Sequence, residues 1–552
     1  MRSFYNERED MVSEAIDGLI AASGGRLLRF DPASRARVVL RRDWDKSKVA
    51  VVSGGGSGHE PAHAGLVGRA LLTAAVCGDV FASPSVDAVL AAIIAVTGPA
   101  GCLLIVKNYT GDRLNFGLAA EKAKGLGLQV EMVIVADDIA IPDAAQPRGV
   151  AGTVFVHKLA GHLSEQGGGL EEIAATVRQA LPGIVTIGAA RDSCTVPGVP
   201  KAERIAPEEV EIGLGIHGEP GIEVARFATS AALVQSLVAK LARRLKPQAR
   251  YALLFNNLGG LPGIECGVLL HDVMRSSLGP RIAYVAGPAN VMTALDMPGF
   301  SLSLAELSPV LEMALLAETG CPALPPFLPI EISAPVAAPA IARAQAHTPS
   351  SNPAVRLIVE TLVESAIGAE ADINALDAQV GDGDTGTTFA AAARAVRQSI
   401  DRLPFANGAS LLAALGDIKR DAMGGSSGVL FAIFLARAAE AYRDAPDWSA
   451  ALGAGLAAVQ TYGGAEPGDR TLVDALKPAL DALQAGEGLA TAAARARAGA
   501  DATATMLRAK AGRSAYLDAR SLDGVKDPGA ELVARMFAAL AQHVPDKGAR
   551  SS

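Results

Sequence analysis

Asp377-Ala378-Gln379-Val380-Gly381-Asp382-Gly383-Asp384-Thr385-Gly386-Thr387-Thr388 sets three carboxylates among glycines and ends in hydroxyl-bearing residues. Two unit charges about 4 Å apart repel by roughly 4 kcal/mol at an effective dielectric near 20. Converging Asp377, Asp382 and Asp384 therefore call for a cation, and an all-oxygen donor set on a Gly loop suits Mg²⁺. An EF-hand is excluded by count, because a loop begun at Asp382 carries Ala393 at its twelfth position. Thr385, Gly386, Thr387 and Thr388 lead into a helix over Phe389 to about Ile400. A helix N-terminus offers unpaired N–H groups and a partial positive charge to a phosphate. Metal and phosphate sites side by side point to a nucleotide; a lone acidic turn capping the helix is the structural alternative.

Around this stretch the periodicity is helical. Val355–Ile367, Leu411–Met423, Val429–Tyr442 and Leu472–Leu483 repeat apolar residues at helical spacing, and almost nothing after about residue 353 alternates with period two. The C-terminal part reads as all-α. Three further loop regions interrupt it: Gly424–Gly428 with Ser426 and Ser427, Gly463–Asp469, and Gly512-Arg513 with Asp527-Pro528-Gly529. Each alone is an ordinary interhelical loop. Gathered at one end of a helical bundle, they could line a nucleotide.

Towards the N-terminus the pattern changes. Val49–Ser53, Cys102–Lys107, Gln129–Ala136 and Tyr251–Phe255 are short apolar runs, and Arg113–Gly125 has helical spacing. This alternation predicts an α/β architecture. Pro322–Pro353, rich in Pro and Ala, reads as a semi-rigid, partly extended linker. The boundaries expected are a first domain at 1–330, a linker at 331–352 and a helical domain at 353–552.

Three loops of the first half carry candidate chemistry. Ser53-Gly-Gly-Gly-Ser-Gly-His59-Glu-Pro-Ala-His63 follows a strand and precedes an expected helix. It lacks the Gly-Lys-Ser/Thr of a Walker loop, and reads either as a ligand loop or as a tight turn capped by His59. Lys107-Asn-Tyr-Thr-Gly-Asp112 ends a strand, where open α/β sheets bind ligands. Asp112 there is either a general base or an N-cap. Gly213-Leu-Gly-Ile-His217-Gly-Glu-Pro-Gly221 matches G-x-G-x-x-G literally, but Pro220 stands where the fingerprint helix should start. A helix is expected from Glu223 instead. A histidine among four glycines is badly placed as core filler and well placed as a nucleophile.

With 552 residues the chain is long enough for more than one core. A net charge of −8, with no basic block, argues against nucleic acid. Five scattered cysteines without a C-x-x-C pair read as reduced thiols of a cytoplasmic protein. The N-terminus has no apolar signal core, and no apolar run is long enough to span a bilayer.

Taken in order, these motifs resemble the single-chain, ATP-dependent dihydroxyacetone kinases over about residues 1–330 and 353–545. The carrying residues are Gly-Gly-Gly-Ser-Gly-His59-Glu-Pro, Asn-Tyr-Thr-Gly-Asp112, Gly-Ile-His217-Gly-Glu-Pro-Gly, Leu-Asp-Met-Pro-Gly-Phe300, the aspartate stretch and Gly-Gly-Ser-Ser-Gly. The resemblance implies an α/β substrate domain joined to a barrel of eight helices with the nucleotide at one end. It implies that His217 traps a ketose carbonyl as a covalent hemiaminal, and that Gly56, Ser57, Gly58 and Lys107 hold the sugar. His59 and Asp112 would handle the proton of the attacking hydroxyl. Asp377, Asp382 and Asp384 would bind Mg²⁺ bridging the ATP phosphates. Thr385, Gly386, Thr387, Thr388, Ser426, Ser427, Gly463, Arg513, Asp527, Pro528 and Gly529 would line the nucleotide. Members dimerise through the substrate domain. Leu472 stands where the family's methionine is expected near the adenine. The same histidine would serve an erythrulose or glyceraldehyde kinase; some relatives cyclise FAD to cyclic FMN, and relatives of the sugar domain alone are ligand sensors. Separate-subunit relatives take phosphate from a phosphoprotein, whereas fusion of the two domains favours free ATP.

Overall fold

The computed structural model describes residues 4–30, 36–141, 144–201, 203–331, 335–339, 347–422, 425–510, 515 and 517–545. The chain forms two compact units, Met1–Pro335 and Val336–Ser552.

The first unit is mixed α/β, built on two sheets. The six-stranded sheet contains β1 (Leu27–Arg29), β2 (Val38–Arg41), β3 (Ala50–Ser57), β4 (Ala74–Val80), β5 (Cys102–Lys107) and β6 (Val130–Val135), in the order β1-β2-β4-β3-β5-β6. Its β4-β3-β5-β6 core is parallel. The seven-stranded sheet contains β7 (Ile184–Ala190), β8 (Val210–Ile212), β9 (Glu223–Ala225), β10 (Tyr251–Asn257), β11 (Ile282–Ala289), β12 (Gly299–Glu306) and β13 (Leu328–Pro329). Its order is β13-β11-β10-β12-β7-β8-β9, antiparallel except for β10 with β11. Helices α1 (Met11–Ala22), α2 (Val86–Val96), α3 (Thr110–Gly125), α4 (Thr153–Glu165), α5 (Leu170–Ala180), α6 (Ser230–Ala242), α7 (Gly263–Arg275) and α8 (Pro309–Leu316) complete the unit. Val51, Leu103, Ile105 and Val133 pack with Val154, Phe155 and Leu159 of α4 in the largest core; the opposite face of the same strands, Val52, Leu104 and Val106, packs with α2 and α3. Strands buried on both faces explain their near-continuous apolar runs.

Two expectations are corrected. The Gly-rich stretch does not turn into a helix: Gly54, Gly55 and Gly56 belong to β3, and a short 3₁₀ turn at Ala64–Leu66 follows. A Cβ on Gly54 would come within 2.2 Å of the Val76 carbonyl, so the glycine lets β3 lie flush on β4. Nor does a helix start at Glu223. Glu223, Val224 and Ala225 pair with β8 as the second arm of a hairpin, and α6 begins only after Thr229, whose hydroxyl caps it by accepting from the Ala232 N–H.

The second unit is all-helical. Its long helices are α9 (Pro353–Gly368), α11 (Thr385–Ser399), α12 (Gly408–Ala422), α13 (Gly425–Asp444), α14 (Trp448–Gly463), α15 (Val473–Gln484), α16 (Gly488–Ala502) and α18 (Pro528–His543), with shorter α10 (Glu370–Asp377) and α17 (Ala519–Leu522). Successive long helices touch in turn, and α16 meets α18, which returns to α9. The ring is closed, as in a barrel. Its interior is lined by small residues, Ala475, Ala479, Ala482, Ala492, Ala496, Ala500, Ala530 and Ala534, filled out by Phe434, Leu456 and Phe537. Among the described residues no helix is long and apolar enough to cross a membrane.

Candidate active site

In the first unit, β3 and β5 run parallel as neighbours, with Ser53 beside Ile105. Their carboxyl ends therefore present the Gly loop and Lys107 side by side, and α3 starts three residues further on. Asp112 lies in the first turn of α3 and Tyr109 holds the N-cap position, so Asp112 is not the cap. Its Oδ1 accepts from the Ser83 hydroxyl. A Cβ on Gly55 would lie 3.1 Å from Lys107 Nζ and 3.4 Å from Asp112 Oδ2, so both groups face the Gly55 backbone. Gly56 instead presents its α-carbon to Phe81 and Ala82, and the Ser57 hydroxyl donates to the Gly78 carbonyl. The Gly58 N–H is bound by the Glu60 carboxylate at 2.9 Å.

Lys107 is fully buried, and its ammonium has no hydrogen-bond partner within the protein. Burial lowers its pKa, while the charges of Asp112, Glu219, Asp137 and Glu60 oppose that shift. His59 is equally buried. Its Nδ1 meets the Thr293 carbonyl at 2.8 Å, and its Nε2 has no partner. Burial first, then the charges of Lys107 and His217, push its pKa well below the usual value, so the ring is a neutral imidazole. Leu295 N–H donates to the Gly58 carbonyl and Thr293 N–H to that of His59, which gives the Leu295–Phe300 motif its purpose as a clamp on the Gly loop.

His217 comes from the other sheet, in the hairpin loop between β8 and β9. Its ring centroid is 4.8 Å from that of His59, 5.2 Å from Phe81 and 4.6 Å from Tyr109, each edge-on. Nδ1 lies 2.9 Å from Glu219 Oε1, and the His217 N–H donates to Oε2 at 3.0 Å. Burial opposes ionisation of Glu219, but the His217 imidazole and the backbone N–H bonds outweigh it and hold the carboxyl at about 2. A carboxylate on Nδ1 fixes the tautomer, leaving Nε2 with a lone pair to attack an electrophile. Phe81, Tyr109, Glu219 and Thr293 were not singled out from the sequence. Glu219 could have been, two residues from His217; Phe81 and Thr293 reach the site from distant segments that carry no local signal.

In the second unit, oxygens of Asp377, Asp382 and Asp384 lie within 4.8 Å of one another. Asp377 closes α10 and is 6% exposed; its Oδ2 accepts from the Asp384 and Thr385 N–H groups, and Asn374 accepts from that of Thr387. Those amides at the start of α11 are already engaged, so a phosphate here depends more on a bridging metal than on the helix terminus alone. The donor set, three carboxylates on a short loop, fits Mg²⁺. Val380 packs with Ala509, Leu522 and Val525 beneath the loop.

Asp527 caps α18 through the Ala530 N–H at 2.8 Å, and burial pushes its carboxyl up to about 6; its electrostatic neighbours include Arg470, Asp474 and Asp377. A Cβ on Gly529 would lie 3.1 Å from the Leu472 Cβ, which puts Asp527-Pro528-Gly529 beside the start of α15. Gly463 ends α14, 3.3 Å by the same measure from Leu430 of α13, whose first turn carries Ser426 and Ser427. The side chains of Ser426 and Ser427, and Arg513 entirely, lie outside the described residues. Arg470, missed in the sequence, is 1% exposed; it donates to the Val525 carbonyl, and its Nε and Nη1 find no acceptor.

Comparison with known proteins matches a Dak1 domain to residues 17–323 and a DAK2 domain to 379–542. The chain is 49% identical to a dihydroxyacetone kinase of Citrobacter freundii, over 98% of this chain and 99% of that one. The chain belongs to the dihydroxyacetone kinase family. The crystal structure of the C. freundii kinase with AMP-PNP and Mg²⁺ superposes with a TM-score of 0.83 at 47% identity, covering 98% of this chain and 99% of that one. A human triokinase/FMN cyclase is 40% identical over 98% of each chain. These two relatives match the chain across both units, in the same order.

Proposed function

We propose that the chain transfers the γ-phosphoryl group of ATP to a hydroxyl of a short-chain ketose, with dihydroxyacetone as the leading substrate. The observation that carries this reading is His217, its Nδ1 held by Glu219, beside a neutral His59 and a buried Lys107–Asp112 pair. His217 Nε2 adds its lone pair to the ketose carbonyl carbon as the C=O π pair moves onto oxygen. The Nδ1 proton passes along the Glu219 hydrogen bond to solvent, leaving Glu219 a carboxylate, and one proton is delivered from solvent to the new alkoxide, which becomes the hydroxyl. The hemiaminal favours ketones and aldehydes over polyols of similar size. Lys107 and the Gly56–Ser57 backbone hold the sugar oxygens, and Gly58, its N–H taken by Glu60, borders the sugar. Asp112, with His59 as neutral acceptor, takes the proton of the attacking hydroxyl.

On this reading residues 1–330 bind the ketose, 331–352 link, and 353–552 bind Mg²⁺–ATP. Asp377, Asp382 and Asp384 would hold Mg²⁺, which neutralises phosphate charge as it develops. Thr385–Thr388, Ser426, Ser427, Gly463, Arg513 and Asp527–Gly529 would line the nucleotide. A cytoplasmic homodimer formed through the first unit goes with this reading, supported by the family resemblance and checked by light scattering of the full chain.

The test is Mg²⁺–ATP turnover by wild type and His217→Ala on dihydroxyacetone, glyceraldehyde and both erythrulose enantiomers, with glycerol as control. Strong turnover of one ketose, lost in the variant, supports the trap and names the substrate. Absence of ketose-dependent ADP release overturns the kinase reading. Because the human relative is a triokinase/FMN cyclase, FMN cyclase activity is the one to assay next.

A further inference from the structure

The His217 loop is a chain segment that should be hard to hold still. It contains Gly213, Gly215, Gly218 and Gly221, with Gly213 and Gly218 at φ of +73° and +82°. Glycine loses more conformational freedom on ordering than any other residue. Yet a nucleophile misplaced by 1 Å can lose about 10²-fold in rate. Something must fix this loop, and two arginines outside every motif above are placed to do so.

Arg148, from the segment before α4, donates through Nε to Asp138 Oδ2 at 2.7 Å and through Nη2 to the Gly213 carbonyl at 2.6 Å. Arg148 and Asp138 side chains are 15% and 6% exposed. Asp138 is itself fixed, its Oδ1 accepting from the Ala140 N–H at 2.9 Å. Beside it, buried Asp137 accepts from the N–H groups of Val150 and Gly152 and from the Thr186 hydroxyl on β7. The base of this brace is therefore part of the core. A Cβ on Gly215 would lie 2.7 Å from Arg148 Nη1 and 1.9 Å from Glu219 Oε2, so Arg148 also walls the loop against the carboxylate that orients His217.

At the far end of the loop, Arg204 donates to Glu211 Oε1 at 2.8 Å and to the Gly218 carbonyl at 3.3 Å. The same Glu211 oxygen accepts from the Gly221 N–H at 2.8 Å. The two ion pairs thus grip carbonyls and amides on both sides of His217, at Gly213 and at Gly218 and Gly221.

We propose that Arg148 and Arg204, seated on Asp138 and Glu211, are positioning residues that hold the Gly213–Gly221 loop so that His217 Nε2 meets the ketose carbonyl. Neither touches the sugar; each acts through the loop backbone, and Arg148 also through Glu219. This rests on the His217 trap proposed above. A planar fork that binds a carboxylate and a backbone carbonyl at once is arginine chemistry, which a lysine reproduces only in part. The brace acts on adduct formation, so its loss weakens ketose binding more than it slows phosphoryl transfer from bound ketose.

The experiment uses the full chain as wild type, Arg148→Gln, Arg148→Lys, Arg204→Gln and His217→Ala. Dihydroxyacetone labelled with ¹³C at the carbonyl reports the adduct directly, because a hemiaminal carbon resonates far from a ketone carbon. Circular dichroism and Mg²⁺–ATP binding check folding. Expected is a wild-type adduct, absent in His217→Ala, with at least tenfold lower affinity in Arg148→Gln and a smaller loss in Arg204→Gln. KM for dihydroxyacetone rises accordingly, kcat at saturation changes less than threefold, and Arg148→Lys recovers part of the affinity. Full adduct occupancy and unchanged KM in both glutamine variants overturn the brace while leaving the trap intact. No adduct in the wild type removes the trap, and the brace with it.

Discussion

Replacing Asp384 by Asn should make the helical unit more stable without metal and less stable with it. The three carboxylates sit within 4.8 Å of one another. At that separation each pair repels by about 0.9 kcal/mol in water and about 3.5 kcal/mol at a dielectric of 20. Asp382 and Asp384 are exposed, so the aqueous limit applies, and neutralising Asp384 relieves two pairs, about 2 kcal/mol before salt screening and about 1 kcal/mol after it. Against this stands the loss of a favourable charge at the N-terminus of α11, about 0.3–1 kcal/mol. Capping is not sacrificed: the Asp384 side chain makes no cap hydrogen bond, and Asn is an equally good N-cap. The net gain is several tenths of a kcal/mol, a rise of about 1–3 °C in the midpoint for a unit of this size. With Mg²⁺–ATP the sign reverses. A ligand at a hundred times its Kd stabilises wild type by about 2.7 kcal/mol, and a variant binding a hundredfold more weakly keeps only about 0.4 kcal/mol of that. The assay is thermal unfolding at low salt, in EDTA and in Mg²⁺–ATP, following the transition that moves with nucleotide. Curves that cross between the two conditions are expected, with turnover down by at least 10³-fold. A variant that is no more stable in EDTA, or that keeps the full nucleotide gain, refutes the assignment of Asp384 to the metal.

Gly58→Ala places a methyl 2.7 Å from the Phe81 ring at a backbone φ of +99°, costing about 1–3 kcal/mol; because Phe81 stacks on His59, a 10–100-fold fall in kcat/KM is expected, and unchanged kinetics would show that the stack is dispensable. Burial raises the Asp137 carboxyl from 3.8 to about 6, so the acid form contributes stability that is complete below pH 3.8 and lost as pH rises through 6. Unfolding free energies from denaturant titration should therefore decline for wild type relative to Asp137→Asn between pH 4 and 7, by roughly 3 kcal/mol at most; parallel profiles would remove that carboxyl from the account. Shortening the 331–352 linker to a few residues should lower turnover while dihydroxyacetone and Mg²⁺–ATP each still bind, as calorimetry would read; full turnover would mean that the linker's reach is not used.

How much of this could be seen in the chain alone follows from the range of the interactions. The all-helical character of the second unit was legible because α9, α12, α13 and α15 each carry their own apolar stripe, and periodicity is local; its closure into a ring came only with the family resemblance. The parallel strands were legible as apolar runs for the same reason. The Gly54–Gly56 stretch was read as lying beyond the strand, as a ligand loop or a tight turn, because its glycines serve a neighbour: β4 presses on Gly54 through the carbonyl of Val76, which stands 22 residues along the chain. Glu223 looked like a helix start because the pairing of β9 with β8 is fixed by the turn between them, not by the composition of three residues. The same division holds at the site. Asp377, Asp382, Asp384, Lys107 and Asp112 announce themselves, since carboxylates that converge on one point, or polar groups at one strand end, cluster in sequence. Phe81, Thr293, Arg148 and Arg204 do not, because they work by contact across elements.

That division bears on the chemistry. A ketose kinase needs a cation, a phosphate grip and an oriented hydroxyl, and positioning supplies most of the rate. The charged groups to which the proposed function gives the reaction sit on short local motifs, whereas the groups that would set geometry come from both sheets of the first unit. His217 reaches the β3–β5 ends only because the β8–β9 hairpin of the second sheet projects there, and His59 is held from the far side by Thr293, after β11. Under the proposed function, substrate choice is thereby separated from phosphoryl transfer. Changes in the hairpin or its arginine brace should shift which carbonyl compound is held, while changes in the aspartate loop should alter turnover for every acceptor alike. A hairpin variant that lost glycerol background and ketose turnover in equal measure would contradict this separation, because glycerol has no carbonyl for His217 to trap.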